Sequence, residues 1–351
     1  MLSAAFVGVV LAVTSPSPAP SPGQVTVQDK RITESSGLVA SPTHPGLVWT
    51  VNDSGSTAVV YGVSARTGRT LATLRLADTQ ARDWEAMTAT RDGEGRGLLW
   101  IGDVGDNRAV RDSVVLRLVR EPLQVSSQTL TPVSLRVRYP DGAHDVETLI
   151  WTPDGRLLLV SKDLFSGIVY QVPPPAVAAA LAGRSTLDPV VAVPLAQVAM
   201  SLVTDGAALP DGRIILRGYS QARIYPDPVV GGTLEPQQQV PLPAQPQGET
   251  LAVMDGGAAV LVGSEGVRQP LYRVALPAPS PTGSPSTAPS PRGTSSPAEA
   301  PSPSPSSSPA AAAPTRAGSD PAPLLAIGAA ALALVAIAGL RRRARRRRGS
   351  G

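Results

Sequence analysis

The chain has 351 residues, of which 17% are charged, and its formal net charge is +4. Without the seven arginines among residues 341–348 it has 24 basic and 27 acidic residues, which excludes a nucleic-acid partner bound through a basic surface. The absence of cysteine excludes disulfides and cysteine-ligated zinc, and two histidines are too few for a multi-histidine zinc site.

The first segment of the chain is typical of a secretory signal sequence. Residues 1–13 (MLSAAFVGVVLAV) are apolar, and serine and proline dominate from there to Gly23. No basic residue precedes the apolar run and no small-residue cleavage motif stands out, which leaves an uncleaved anchor or a start codon further upstream as alternatives. We interpret residues 1–23 as a signal-like segment with a Ser/Pro linker, and we expect an exported protein.

Residues 24–276 contain five copies of one strand–turn–strand pattern. In each copy an acidic residue opens an apolar strand, a turn containing glycine follows, and a second apolar strand ends in polar residues. The five acidic residues are Glu34, Glu85, Glu147, Asp205 and Glu249. Self-similarity at a period of about 40–60 residues, in strands, is typical of a β-propeller. We predict an all-β, five-bladed β-propeller over residues 24–276, with a six-bladed ring containing one degenerate repeat as the alternative.

Three further features refine this prediction. Residues 25–27 (VTV) precede the first repeat and are expected to pair with the last blade, which would close the ring and remove its exposed edges. Residues 173–183 (PPPAVAAALAG) predict one short helix between the third and fourth blades, with proline at its start and glycine at its end. Trp49 and Trp100 share one position in their repeats, which indicates packing between blades.

The repeat predicts that acidic and polar side chains crowd one face of the ring, around its axis. Carboxylate and amide oxygens are the ligands that Ca²⁺ and other hard cations prefer. The candidate binding residues are Glu34, Asn52, Asp53, Asp83, Trp84, Glu85, Asp103, Asn107, Asp145, Glu147, Lys162, Asp205 and Glu249. Five of them are the candidate ligands of a divalent cation: Glu34, Glu85, Glu147, Asp205 and Glu249.

A structural role for these acidic residues is the alternative, because carboxylates at such positions also accept backbone N–H bonds from the next blade. Trp84 is expected to line the mouth of the channel. Lys162, one of two lysines in the chain, is expected either to neutralise carboxylates or hold an anionic substrate, or to pair with Asp163.

The C-terminal part of the chain predicts a membrane anchor. Residues 277–320 are almost entirely serine, proline, alanine, threonine and glycine, which cannot bury a core and predict an extended stalk. Residues 321–340 carry no charge and are long enough for one transmembrane helix. The arginine-rich tail 341–351 then places the C-terminus in the cytoplasm and the propeller outside the cell.

Four short segments resemble exported propeller families. Residues 34–38 (ESSGL), 52–55 (NDSG) and 83–87 (DWEAM) resemble the SdiA-regulated proteins and the phytase-like esterase domain, and residues 247–251 (QGETL) are similar to their closing element. More distantly, Glu34 resembles the metal-binding glutamate of gluconolactonase-like propellers. The resemblance implies a propeller fold, export and, at Glu34, a metal ligand.

Two functional hypotheses follow from the sequence. The first is a cell-surface binding module for an extracellular ligand or envelope protein, which the long stalk, the scarce histidines and the missing nucleophile motif favour. The second is a metal-dependent extracellular hydrolase of the phosphoesterase, esterase or lactonase type, acting at the ring of carboxylates. A purely structural spacer fits poorly with so many polar groups directed toward one face.

Overall fold

The computed structural model describes residues 23–53, 55, 57–186 and 188–278. The signal-like residues 1–22, the stalk beyond residue 278, the predicted transmembrane helix and the arginine-rich tail lie outside these residues. Within the described part of the chain, no helix is both long and apolar enough to cross a membrane.

The described residues form five sheets, which we number as blades 1–5 in chain order. Blade 1 consists of β2 (Ser35–Ala40), β3 (Leu47–Asn52), β4 (Thr57–Ser64), β5 (Thr70–Gln80) and β9 (Gln128–Leu130). Blade 2 consists of β6 (Trp84–Arg91), β7 (Gly97–Asp103), β8 (Val114–Arg120), β10 (Val133–Arg138) and β14 (Val190–Val191).

The other three blades repeat this arrangement. Blade 3 consists of β11 (Val146–Trp151), β12 (Leu157–Ser161), β13 (Gly167–Gln171), β15 (Val193–Val198) and β19 (Thr233–Leu234). Blade 4 consists of β16 (Asp205–Ala208), β17 (Ile214–Arg217), β18 (Gln221–Tyr225) and β20 (Gln238–Pro241). Blade 5 consists of β21 (Gly248–Met254), β22 (Ala259–Ser264), β23 (Pro270–Ala275) and the N-terminal strand β1 (Gln24–Thr26).

The five blades close into a ring. The first strands of successive blades, β2, β6, β11, β16 and β21, contact one another in that order, and β21 contacts β2 again. These five strands therefore surround the axis, as a β-propeller requires. The prediction of five blades is confirmed, and the six-bladed alternative is wrong.

Strands from elsewhere in the chain hold neighbouring blades together. β1 pairs antiparallel with β23, and the backbone N–H of Val27 donates to the carbonyl of Gln269 at 3.1 Å. The predicted closure of the last blade by the N-terminal residues is thus confirmed. In blades 1, 2 and 3 the outermost strand comes from the chain of the following blade and pairs in parallel: β9 with β5, β14 with β10 and β19 with β15.

The core lies between blades, where the apolar faces of successive sheets meet. Trp49 and Trp100 are fully buried, and they pack with residues of blades 1 and 2 and of blades 2 and 3, respectively. Gly62 on β4 makes room for the first indole, because a Cβ at this position would lie 2.7 Å from the Trp49 ring. The packing role predicted for both tryptophans is confirmed.

The predicted helix exists as α1 (Pro174–Leu181), and the structure also contains a short 3₁₀ helix at Asp255–Gly257. Helix α1 begins with proline in its first turn and is followed by Gly183, whose φ of 81° suits glycine. It lies between β13 and β15, within blade 3. The prediction that it connects the third and fourth blades was therefore wrong, because a fourth strand of blade 3 follows the helix.

Candidate functional site

A β-bulge near the start of the first strand moves one residue out of register in four of the five blades. The bulged residues are Ser36 in blade 1, Glu85 in blade 2, Glu147 in blade 3 and Glu249 in blade 5. Such a bulge re-aims the side chain of the extra residue. Carboxylate oxygens of the three glutamates, one from each, all lie within 4.8 Å of one another. We refer to Glu85, Glu147 and Glu249 as the axial glutamates.

The blade 1 equivalent of these glutamates is Ser36, not Glu34. The carbonyl of Glu34 accepts a bond from the N–H of Asp53 at 2.9 Å, and the carbonyl of Asp83 accepts the corresponding bond in blade 2 at 3.1 Å. The predicted alignment by acidic residue was therefore two residues out of register. Ser36 is buried and donates a very short hydrogen bond to Oε2 of Glu85. Alignment by the small residue after the bulge, Gly37 with Ala86, would have found it.

Asp205 has a structural environment. The first strand of blade 4 pairs without a bulge, and Asp205 is fully buried. Its carboxylate accepts the N–H of Gly206 at 2.8 Å and that of Leu251, in the next blade, at 2.6 Å. Burial raises the pKa of Asp205 well above its ordinary value, against the effect of these two bonds. Asp205 therefore has the structural role that was the alternative to cation binding, because its carboxyl group links blades 4 and 5.

Glu147 and Lys162 form a buried ion pair beside the axis. Nζ of Lys162 lies 2.5 Å from Oε1 of Glu147 and 5.1 Å from the centroid of the Tyr219 ring, a cation–π distance. The second carboxylate oxygen, Oε2 of Glu147, is buried and has no hydrogen-bond partner among the described residues. The expected partner Asp163 accepts a bond from Ser161 instead, at 2.6 Å. Lys162 thus neutralises one of the axial glutamates from one side.

Burial and mutual repulsion raise the proton affinity of these carboxyl groups. Burial raises the pKa of Glu147 well above its ordinary value, and the nearby Glu249 adds to this, while Lys162 opposes it. Burial, Glu249 and Asp53 raise the pKa of Glu265 to about 10. The side-chain amide of Gln247 donates to Glu249 at 3.2 Å and to Glu265 at 2.6 Å. The axis therefore carries more carboxyl groups than its nearby cation can neutralise.

A second acidic group lies next to the axial glutamates and shares one member with them. Carboxylate oxygens of Asp53, Asp83 and Glu85 also lie within 4.8 Å of one another. Asp83 is partly exposed, whereas Asp53 and Glu85 are buried. Together, the two groups contain five of the predicted acidic residues: Asp53, Asp83, Glu85, Glu147 and Glu249. Glu85 belongs to both groups, so the two positions are adjacent.

The remaining predicted residues lie elsewhere or hold the scaffold. Asn52 accepts the N–H of Thr33 at 3.1 Å and donates to the carbonyl of Arg31 at 2.7 Å. Asp103 forms an ion pair with buried Arg111 at 2.9 Å. Asp145 accepts the backbone N–H of Asp106 at 2.7 Å. Asn107 is exposed on the loop between β7 and β8. Trp84 is fully buried between blades 1 and 2. The prediction that it lines the channel mouth is wrong, because its ring fills the core.

Comparisons with known proteins give likenesses of fold at low identity. The chain matches no protein-family model, and no curated protein matches it. Solved structures similar to it include the PQQ-bound aldose sugar dehydrogenase of Streptomyces coelicolor, with 13% identity over 73% of this chain and 99% of that one and a TM-score of 0.39. A gluconolactonase of Xanthomonas campestris shows 11% identity over 66% and 69%, with a TM-score of 0.37. The glutaminyl cyclase of Myxococcus xanthus shows 12% identity over 72% and 98%, with a TM-score of 0.37. At these values the function has to be argued from the site.

Proposed function

We propose that the protein is a membrane-anchored, extracellular binding module, and that its axial glutamates hold a divalent cation such as Ca²⁺. The observation that carries the cation site is Oε2 of Glu147. This buried oxygen has no hydrogen-bond partner among the described residues, and its carboxylate belongs to the group of three that meet within 4.8 Å. Leaving a buried acceptor unsatisfied costs about 1–3 kcal/mol, which a bound cation would offset.

The burial of the axial glutamates favours an ion over a larger ligand. Glu85, Glu147 and Glu249 are only 1%, 2% and 3% exposed. An organic substrate could reach these carboxylates only if the surrounding strands moved. A single cation is much smaller and needs only a narrow opening. Since the donors are oxygen atoms and neither histidine of the chain belongs to the group, the chemistry suits Ca²⁺ better than Zn²⁺.

The extracellular assignment rests on the order of segments in the sequence. A signal-like start, a Ser/Pro stalk, an uncharged segment of 20 residues and an arginine-rich tail together support export and a single membrane anchor. A Ca²⁺ site also suits this location, because extracellular modules work with weak Ca²⁺ affinities of about 10⁻⁴–10⁻³ M. The wider partner of the module would be another ligand or protein of the cell envelope.

Thermal unfolding of the full-length protein tests the cation site. At a Ca²⁺ concentration 100 times Kd, binding should stabilise the fold by about 2.7 kcal/mol, or about 5–10 °C in melting temperature. Glu147→Gln keeps the shape of the side chain and should abolish this rise. Glu121→Gln is the matched control. Glu121 is also a buried glutamate, but its carboxylate accepts the indole N–H of Trp49 at 2.6 Å and does not belong to the axial glutamates. No Ca²⁺-dependent rise in the parent protein would exclude the site.

A metal-dependent hydrolase is the second candidate, and the shared position of Glu85 favours it. Two adjacent acidic groups that share one carboxylate could hold two cations, the arrangement that stabilises both oxygens in phosphoester hydrolysis. Asp83 would connect the second position with solvent. The test is hydrolysis of bis-p-nitrophenyl phosphate and of a simple lactone by the Ca²⁺- or Mn²⁺-loaded protein. Turnover lost in Asp83→Asn would support the enzyme, whereas cation binding without turnover would leave the binding module.

A further inference from the structure

A second polar cluster lies away from the axis, between blades 2 and 3. Asp141 and His144 belong to the loop that connects β10 to β11, and Tyr170 lies on β13. The hydroxyl oxygen of Tyr170 is 3.0 Å from Oδ1 and 2.8 Å from Oδ2 of Asp141, and it is 2.8 Å from Nε2 of His144. Nε2 of His144 is 3.2 Å from the same Oδ1. One oxygen of a carboxylate, one imidazole nitrogen and one phenol oxygen thus form a nearly regular triangle.

We propose that Asp141, His144 and Tyr170 form a binding site for a first-row transition metal ion, with ferric iron the best match. In octahedral coordination with bonds of about 2.0–2.1 Å, adjacent ligand atoms lie about 2.9 Å apart. The three observed separations, 2.8, 3.0 and 3.2 Å, agree with three such adjacent positions. One face of the ion would then be held by the protein, as in the facial triad of one carboxylate and two imidazoles.

The donor set selects for iron among the common metals. A carboxylate and a phenolate are hard anionic oxygen ligands, imidazole suits iron, and tyrosine is an established ligand of iron in proteins. Binding of Fe³⁺ would release the phenol proton of Tyr170 to solvent, and the neutral imidazole of His144 would carry its hydrogen on Nδ1. The carboxylate and the phenolate together supply two negative charges, so the bound ion keeps one positive charge for a further anionic ligand.

The surroundings of the cluster both orient the donors and leave one side open. The ring of Tyr139 lies 4.8 Å from the ring of Tyr170 and 5.4 Å from that of His144, centroid to centroid, and fixes both rings. Tyr170 itself is buried in the blade. The side chain of Asp141 is 45% exposed and that of His144 is 17% exposed, so an ion can enter from solvent. The remaining three coordination positions would face this open side.

This inference does not depend on the proposed cation at the axis. The two clusters share no residue, and the neighbouring Asp145 directs its carboxylate to the N–H of Asp106 at 2.7 Å. Their chemistry also differs, because the axial group offers carboxylates while this one adds imidazole and phenol. Variants at each site should therefore leave the other unchanged.

Titration of the full-length protein with ferric nitrilotriacetate tests the site. We expect stoichiometric iron after desalting and a visible phenolate-to-iron charge-transfer band, which requires a coordinated tyrosine. Tyr170→Phe keeps the packing but removes the ligand atom, and should lose the band. Tyr225→Phe is the matched control, because Tyr225 is also fully buried and its hydroxyl donates to the carbonyl of Ala199, at 3.5 Å, rather than to Asp141 or His144. Glu147→Gln should keep the band as well.

Two results would overturn the proposal. One is a folded parent protein, verified by its circular dichroism, that retains no iron and shows no band at a saturating ferric chelate. The other is a band of unchanged intensity in Tyr170→Phe, since the iron would then be held by another tyrosine. If Tyr170→Phe fails to fold, Asp141→Asn at the exposed edge replaces it, and it should lower the retained iron at least tenfold.

Discussion

At the scale of single residues, Lys162 decides how much negative charge the axis keeps. Its ammonium group contacts only one oxygen of Glu147, and the side chain reaches the axis from the end of β12. Burial lowers the pKa of Lys162, but the attraction of Glu147 and Glu249 outweighs this and holds it well above its ordinary value. The lysine therefore stays charged, and it competes with a bound cation for the same carboxylate.

Replacing this lysine should strengthen Ca²⁺ binding. Lys162→Met removes a positive charge within a few ångströms of the cation, and relief of that repulsion should lower Kd at least tenfold, or by about 1.4 kcal/mol. The apo protein should lose stability at the same time, because Glu147 loses its partner. Calorimetric titration with Ca²⁺ gives the Kd of the parent protein and that of Lys162→Met. Lys162→Arg, which keeps the charge, serves as the control. Equal or weaker affinity in Lys162→Met would show that the cation does not share Glu147.

The raised pKa of Glu265 predicts how stability depends on pH. With a pKa of about 10 in the folded protein, this carboxyl group keeps a proton that the unfolded chain releases above about pH 4.5. Its contribution is therefore complete at low pH and is lost as the pH rises toward 10. In EDTA, the free energy of unfolding should fall between pH 5 and 9, by up to about 1.4 kcal/mol per pH unit for one such group.

Glu265→Gln should flatten this slope, because the amide cannot ionise. Urea unfolding of both proteins at several pH values measures the difference. Glu94→Gln is the control, since the side chain of Glu94 is 69% exposed and pairs with Arg96 on the surface. An identical slope in parent and Glu265→Gln would mean that Glu265 is ionised in the folded protein.

At the scale of elements, the sequence was sufficient for the strands but not for the bulges. Alternating apolar strands and glycine turns predicted the first two strands of every blade and the closing strand β1. In the sequence, Glu34 and Glu85 look equivalent because both precede a short apolar strand. Backbone pairing shows that Glu85 is the bulged residue and that Ser36 takes its place in blade 1, and the small residues Gly37 and Ala86 are the sign of this in the sequence. A one-residue irregularity of this kind leaves no periodic signal in one sequence.

The parallel edge strands were also beyond sequence reasoning. β9, β14 and β19 are two or three residues long, and each joins the sheet of the preceding blade. Segments this short show no clear alternation, and their partners are remote in the chain. The pairing of β1 was predictable because ring closure demands a partner for the exposed edge of the last blade.

The N-terminal strand should contribute a large part of the total stability. It provides ladder hydrogen bonds to β23 and the apolar side chains of Val25 and Val27, which pack in the core between blades 5 and 1. Two net hydrogen bonds, one buried valine (Val27) and one partly buried valine (Val25) amount to about 3–6 kcal/mol. A chain that begins at residue 29 should therefore unfold at much lower denaturant than one that begins at residue 23, which keeps β1. Equal midpoints would show that the ring closes without this strand.

At the scale of the whole molecule, the uneven distribution of charge along the chain predicts how the protein is oriented in the membrane. The positive excess lies in the tail, whereas the rest has more acidic than basic residues. The folded ring begins at β1 and ends with β23 at Ala275, close to the start of the stalk. The propeller is thus complete before the Ser/Pro segment begins, and cleavage within that segment would leave its blades intact.

Trypsin added to intact cells should release the propeller. Between residues 277 and 320 the only basic residues are Arg292 and Arg316, and we expect the Ser/Pro composition there to leave both open to the protease, while the compact propeller resists. Immunoblotting of the medium with an antibody to the propeller should show a stable fragment that ends in the stalk. The double variant Arg292→Gln, Arg316→Gln is the control and should stay on the cells, because the stalk then lacks a tryptic site. If the parent fragment appeared only after the cells were broken, the propeller would lie in the cytoplasm, and the proposal of an extracellular binding module would fail.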